Sequence, residues 1–207
     1  MKTVFPQNFL KVTTLALLAF SFNACDEEAP GKEDTPELIT EVKLTFTPTG
    51  GGTPIVVSAI DPDGPGVLDL TAEQPISLTA GTAYTLSIEF FNGLLDPTED
   101  EYDITAEVLE EADEHMLFFS WDGGFSNPTG NGNIDNRADA VNYEDNDTNG
   151  LPLGLSTSWT TIATAASDLT FRLLLKHQPD LKTASSGSTV GETDADVEFE
   201  LNIAVVN

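Results

Sequence analysis

The sequence predicts an all-β fold, an antiparallel β-sandwich of about eight strands with Greek-key connections of immunoglobulin-like or jelly-roll-like type and one short helix. Short runs in which every second residue is apolar recur along the chain, as in strands with one face on a core and the other on solvent. Between these runs, 16 glycines and 12 prolines among 207 residues supply the turns, and no long stretch repeats its apolar residues at helical spacing.

The amino-terminal segment stands apart from that fold. Met1 to Lys11 carries Lys2 and Lys11 and no acid, and the apolar run Val12 to Phe22 follows, ending at Phe22-Asn23-Ala24-Cys25. This is the layout of a signal peptide over residues 1–24. The run falls well short of the roughly 20 residues that span a bilayer as a helix. Ordinary secretory cleavage wants a small residue where the bulky Phe22 stands, so the segment resembles a lipobox instead, with Cys25 the lipid-bearing first residue of the mature chain. Residues 25–38 follow as an acidic tether, containing Pro30, Gly31 and Pro36, which is too polar to bury a core. The acids Asp26, Glu27 and Glu28 resemble the signal that carries Bacteroidota-type lipoproteins to the outer face of the outer membrane. That resemblance implies a cell-envelope location, with surface exposure favoured over the periplasm.

The β-sandwich domain is expected over residues 39–207. Val42, Leu44 and Phe46 alternate with Glu41, Lys43 and Thr45, and the turn formers of Pro48 to Pro54 separate this strand from a second at Ile55 to Ile60, which predicts a hairpin. Further strands are expected at Gln74 to Thr79, Thr82 to Phe91, Met116 to Trp121 and Leu155 to Ile162. Ile104, Val108 and Ala112 recur at helical spacing among Glu107, Glu110 and Glu111, the pattern of either a short amphipathic helix or a frayed strand. Leu169, Phe171, Leu173 and Leu175 alternate in one late strand and Ala195 to Val205 in another, and these two are expected to pair antiparallel. On the last strand Asp194, Asp196, Glu198 and Glu200 read as a solvated face. The Gly- and Asn-rich stretch Gly123 to Asp139 reads as a long loop, either mobile or lining a site.

Composition removes several functions. With 35 acids against eight lysines and arginines, the formal charge is −27, and such a surface repels phosphate backbones, so nucleic acid is not an expected partner. A single cysteine allows no intrachain disulfide; if it carries the lipid, no thiolate remains for nucleophilic catalysis or a Cys-rich zinc site. Neither a Gly-x-Ser-x-Gly elbow nor an HExxH, P-loop or dinucleotide fingerprint is present. The chain is therefore expected to bind rather than to catalyse. A hydrolase is a further alternative, but with so many acids no carboxylate pair stands out. Trp121, Trp159 and Tyr143 suit either a sugar-stacking face or the core.

Two patterns admit metal. Asp145-Asn146-Asp147-Thr148-Asn149-Gly150 matches the first half of a calcium loop, but Ser156 stands where a helix-loop-helix site needs a bidentate Glu, which leaves a β-loop calcium site or a polar turn. The acidic turn Asp61-Pro62-Asp63-Gly64 is a similar fragment. Separately, the only histidines, His115 and His177, fall at strand ends. If the last two strands pair antiparallel, His177 lies beside Glu192 and Asp194, and an antiparallel Met116 strand brings His115 to the same end. Two imidazoles and a carboxylate suit zinc or copper. Regular alternation, however, puts Asp194 on the face opposite His177, and the neighbouring Asp113, Glu114 and Lys176 suit ordinary solvated strand ends with unrelated surface histidines.

The segments EVKLTFTPTGGGTP, EADEHMLFF, LTFRLLLKHQPDLK and GETDADVEF together resemble a group of small acidic Bacteroidota-type lipoproteins of uncharacterised function. Members of that group carry transferred labels such as type 1 periplasmic binding fold protein or GTP cyclohydrolase. The first requires two α/β lobes, which a strand-rich chain of this length does not supply; the second, in its zinc form, requires a cysteine ligand. The resemblance implies a lipid-anchored binding or accessory protein, held at the membrane through Cys25, that works beside an outer-membrane uptake receptor.

Overall fold

Alternation along the chain settles most of the strands. In β1 (Glu41–Pro48) Val42, Leu44 and Phe46 are fully buried while Lys43 and Thr45 are only partly covered, and the same parity runs through β2 (Ile55–Ile60) and β5 (Ala83–Phe91). The computed structural model describes residues 1–2, 37–64 and 70–205. Residues 3–24 of the leader, Cys25 and most of the tether lie outside the described residues. The chain divides into two units, Met1–Lys32 and Glu33–Asn207. Only Met1 and Lys2 of the first are described, and the second holds every strand and helix named below. No helix among the described residues is long and apolar enough to cross a membrane.

The remaining elements are β3 (Thr71–Ala72), β4 (Ile76–Thr79), a 3₁₀ turn at Asp100–Tyr102, α1 (Ile104–Glu110), β6 (His115–Trp121), β7 (Phe125–Asn127), β8 (Ser156–Thr161), β9 (Ala166–His177) and β10 (Glu192–Ala204). They form two sheets, one of six strands in the order β3-β2-β1-β5-β8-β7 and one of four in the order β4-β10-β9-β6. The fold is thus an all-β sandwich, as expected. The β1–β2 hairpin forms with Phe46 opposite Ile55, and β9 and β10 pair antiparallel. One pairing departs from the antiparallel expectation: β4 runs parallel to β10.

One core joins the sheets. Phe46 of the first stacks edge-on against Phe171 of the second at 6.1 Å, and Trp159, Trp121, Phe119 and Phe125 extend the cluster. Trp121 and Trp159 are therefore core residues. Each buried aromatic contributes about 1.5–3 kcal/mol by leaving water. The Gly123 to Asp139 stretch is not wholly the expected loop, since Phe125–Asn127 form β7 against β8, and its remainder covers the outer edge of β6. Phe119 donates to Asn133 Oδ1 at 3.0 Å, Asn133 donates back to the Phe119 carbonyl at 2.8 Å, and Trp121 donates to Asn131. Gly132 makes this approach possible, because a Cβ there would stand 2.0 Å from the Phe119 oxygen. Tyr143 completes the cover by donating its hydroxyl to the Leu117 carbonyl at 2.6 Å; burial pushes that hydroxyl's pKa up. An exposed ladder edge would template association, and this loop removes one.

Candidate metal centre

The registers of the four-stranded sheet collect the two histidines. β6 pairs with β9 so that His115 lies opposite His177, and β9 pairs with β10 so that His177 lies opposite Glu192. His115 shares the inward parity of Leu117, Phe119 and Trp121, and His177 that of Phe171, Leu173 and Leu175. The imidazoles stack in the interior, with ring centroids 4.5 Å apart and planes 3° from parallel. Their exposures are 0% and 1%.

A bulge adds a carboxylate. Between Thr193 and Ala195 the β9–β10 register slips, so Asp194 is an extra residue without a ladder partner. Regular alternation would send Asp194 out with Asp196 and Glu198; with the bulge, Asp194 and Ala195 are both fully buried. Asp194 Oδ2 comes within 3.5 Å of His115 Nε2. The expected solvated face therefore holds for Glu198 and Glu200, which are exposed, and fails at Asp194. Glu192 is exposed and stays outside the cluster.

The helix supplies the rest. Ile104 and Val108 bury α1 against the core, and Thr105 bonds the backbone of Phe90 through its hydroxyl, docking the helix on the end of β5. The chain then turns back through Glu111–Glu114 into β6. The Glu111 carbonyl accepts from both the backbone N–H and the ring Nδ1 of His115, at 3.2 and 3.1 Å. A carbonyl only accepts, so Nδ1 carries a proton and Nε2 is the ring atom turned toward Asp194. His177 Nε2 lies 3.4 Å from Glu114 Oε2 and 4.0 Å from Glu111 Oε2. One ligand atom each from Glu111, His115 and His177 falls within 4.8 Å of the other two, the one such group among the described residues.

These atoms share a deficit. Glu111 Oε2, His115 Nε2, His177 Nε2 and both oxygens of Asp194 are buried and make no hydrogen bond. Buried polar atoms are nearly always bonded, and an isolated unsatisfied one costs about 1–3 kcal/mol. Of these, Glu111, His115 and His177 bring ligand atoms close enough together for a cation to satisfy them, and Asp194 lies beside His115. Nearby cations are engaged elsewhere: Lys176 donates to Thr193 Oγ1 at 2.8 Å, and Arg172 grips Asp196 through two nitrogens. Among the described residues, His115 is the only basic side chain within ion-pair reach of Asp194.

Beside the cluster opens a cleft of about 330 Å³ lined by Glu37, Leu38, Asn92, Glu101, Ile104 and Glu107. Burial, a hydrogen bond with Glu107 and the fields of Glu107, Asp194 and Glu111 push the Glu37 carboxyl up to about 8. The negative potential of the centre thus extends to its acidic rim.

The two acidic loops are built differently. Asp145 accepts from the N–H groups of Gly154 and Ser156, at 2.8 and 3.0 Å. Asp147 Oδ1 accepts from those of Asn149 and Leu151, both at 2.8 Å, and its Oδ2 faces the Lys182 ammonium at 2.9 Å. The loop's carboxylates are spent on its own backbone and on a lysine, and Asn149 is exposed, so these oxygens do not converge as a calcium cage. Asp61 Oδ1 likewise accepts from Asp63 and Gly64 in a local turn, and those bonds hold its pKa below the usual carboxylate range.

Sequence reasoning named His115, His177, Glu192 and Asp194, of which the structure brings the histidines and Asp194 near one another, and it missed Glu111 and the Glu114 contact, which read as the polar side of a helix and a solvated strand end. The available signal was Glu111 four residues before His115. No protein-family model, curated protein or solved structure matches the chain.

Proposed function

We propose that this chain is a lipid-anchored protein of the cell envelope that binds a divalent transition-metal ion, zinc or copper, through His115, His177 and Glu111. The observation that carries the reading is the pair of buried, stacked imidazoles whose Nε2 atoms make no hydrogen bond, beside carboxylate oxygens in the same state. Mixed nitrogen and oxygen donors suit borderline ions such as zinc and copper(II), whereas calcium and magnesium take oxygen alone. The His115 Nδ1 bond to the Glu111 carbonyl is the outer-sphere support that orients a metal-binding imidazole. Binding rather than catalysis is favoured because a catalytic zinc keeps an open position for water and substrate, and both imidazoles here are enclosed. A lipid on Cys25 would hold this centre at the membrane surface.

Elemental analysis of the full chain, purified without a polyhistidine tag, tests this. About one equivalent of zinc or copper is expected, with a melting temperature that falls on chelation, since a ligand at 100 times its Kd adds about 2.7 kcal/mol to stability. The variants His115→Ala and His177→Ala should lose both. A metal-free chain whose melting is indifferent to added Zn²⁺, Cu²⁺ and chelator would remove the proposal.

A further inference from the structure

The cleft between the start of β1, the end of β5 and α1 is, we infer, a binding site for a small organic cation, a primary ammonium group carried on a short aliphatic chain. It is separate from the paired histidines and does not depend on reading them as a metal centre. Its walls come from four places: Glu37 and Leu38 from the segment entering β1, Asn92 from just past β5, Glu101 from the 3₁₀ turn, and Ile104 and Glu107 from α1. Hydrogen bonds tie these walls to one another. Thr40 donates its N–H to the Phe91 carbonyl at 2.9 Å, Asn92 donates its N–H to the Tyr102 carbonyl at 3.0 Å, and the Thr105 hydroxyl holds α1 to Phe90. The space of about 330 Å³ is thereby framed by the fold itself, and it falls within the roughly 300–1,000 Å³ of small-molecule sites.

One atom of the wall calls for a donor. Asn92 continues the inward parity of Ile88 and Phe90 and is 7% exposed, yet its Oδ1 is buried and accepts no hydrogen bond. Buried carbonyl oxygens are nearly always bonded, so an occupant with an N–H to give is favoured there. On the same cleft Glu37 and Glu107 hydrogen-bond to each other through their carboxyl groups. Two such acceptors can meet only through a proton, which an N–H donor of a ligand replaces. No basic side chain is among the described residues that line the cleft. An ammonium brings three N–H donors and a positive charge to these oxygens, and its hydrogen bonds to them are charge-assisted. The remaining lining, Leu38 and the buried Ile104, is apolar. It suits an alkyl chain and offers a metal ion nothing to coordinate.

Calorimetric titration of the full chain with pentylamine tests this, run in about 0.15 M NaCl, where diffuse attraction to an acidic surface is screened beyond about 8 Å. Saturable binding of about one equivalent is expected. Methylamine should bind at least roughly tenfold more weakly, having no chain to bury, and 1-pentanol should not bind. Asn92→Leu removes the acceptor without changing the net charge and should weaken pentylamine roughly tenfold or more. Glu107→Gln should do the same, and it carries the test where Asn92→Leu disturbs the fold. Glu198→Gln, which removes an equal charge from an exposed position on β10, should change the affinity less than about twofold. Binding that does not saturate, or that Glu107→Gln and Glu198→Gln weaken equally, would reduce the effect to general acidity and overturn the inference. Unchanged affinity in a folded Asn92→Leu variant would overturn it too, as would displacement of pentylamine by equimolar Ca²⁺ with no dependence on chain length.

Discussion

The ammonium of Lys182 lies 2.9 Å from Asp147 Oδ2 and donates to the Ala112 carbonyl at 2.7 Å. A single buried cation thereby ties the Asp145–Gly150 loop to the segment that carries Glu111 into His115. Breaking one side of a buried pair leaves the other charge stranded, so Lys182→Met should cost about 3 kcal/mol in chemical denaturation, and Lys182→Met with Asp147→Asn should recover part of it. Glu37 gives a second residue-level expectation. Its folded-state pKa of about 8 lies above the ordinary 4.5, so between those values the folded chain holds a proton that the unfolded chain has released. Stability of the metal-free protein should therefore fall as pH rises from about 4.5 to 8. Glu37→Gln should flatten that slope, and an identical slope in the variant would locate the effect elsewhere.

Elements decide how the centre is assembled. β9 and β10 were legible because period-2 alternation runs through LTFRLL and DVEFELNI, and β6 because HMLFFSW is a short apolar and aromatic run, and those runs placed His115 and His177 at strand ends. The bulge at Asp194 was not legible, since the alternation continues unbroken on paper through TDADVEF and only the register against β9 reveals the extra residue. β3 and β7, of two and three residues, are too short to show a period, and the parallel β4–β10 contact joins segments whose local patterns carry no record of each other. The turn into β10 depends on Gly191, whose φ is 75° and whose missing Cβ would stand 2.0 Å from the His177 carbonyl oxygen. Gly191→Ala forces either that backbone or the turn to move, at about 2–3 kcal/mol. Displacing His177 should weaken Zn²⁺ binding in the same variant, which calorimetric titration would read.

Across the whole molecule, a sheet end brings two imidazoles and a docked helix a carboxylate to a shared interior point, with Asp194 of the strand bulge beside one imidazole, while the tryptophans and phenylalanines between the sheets fix the frame. The acid excess that argues against nucleic acid as a partner also has a local expression, because several of those acids crowd one end of the sandwich, where a bound cation would relieve their repulsion. That point was half visible in the sequence: strand periodicity located the two histidines, and helix periodicity concealed Glu111 by assigning it to solvent. X-ray absorption at the zinc edge of the zinc-loaded full chain reads the donor atoms themselves. A first shell of nitrogen and oxygen at about 2.0–2.1 Å, with the outer scattering of two imidazoles, is expected. A hydrated, all-oxygen shell with no imidazole scattering would contradict the metal centre.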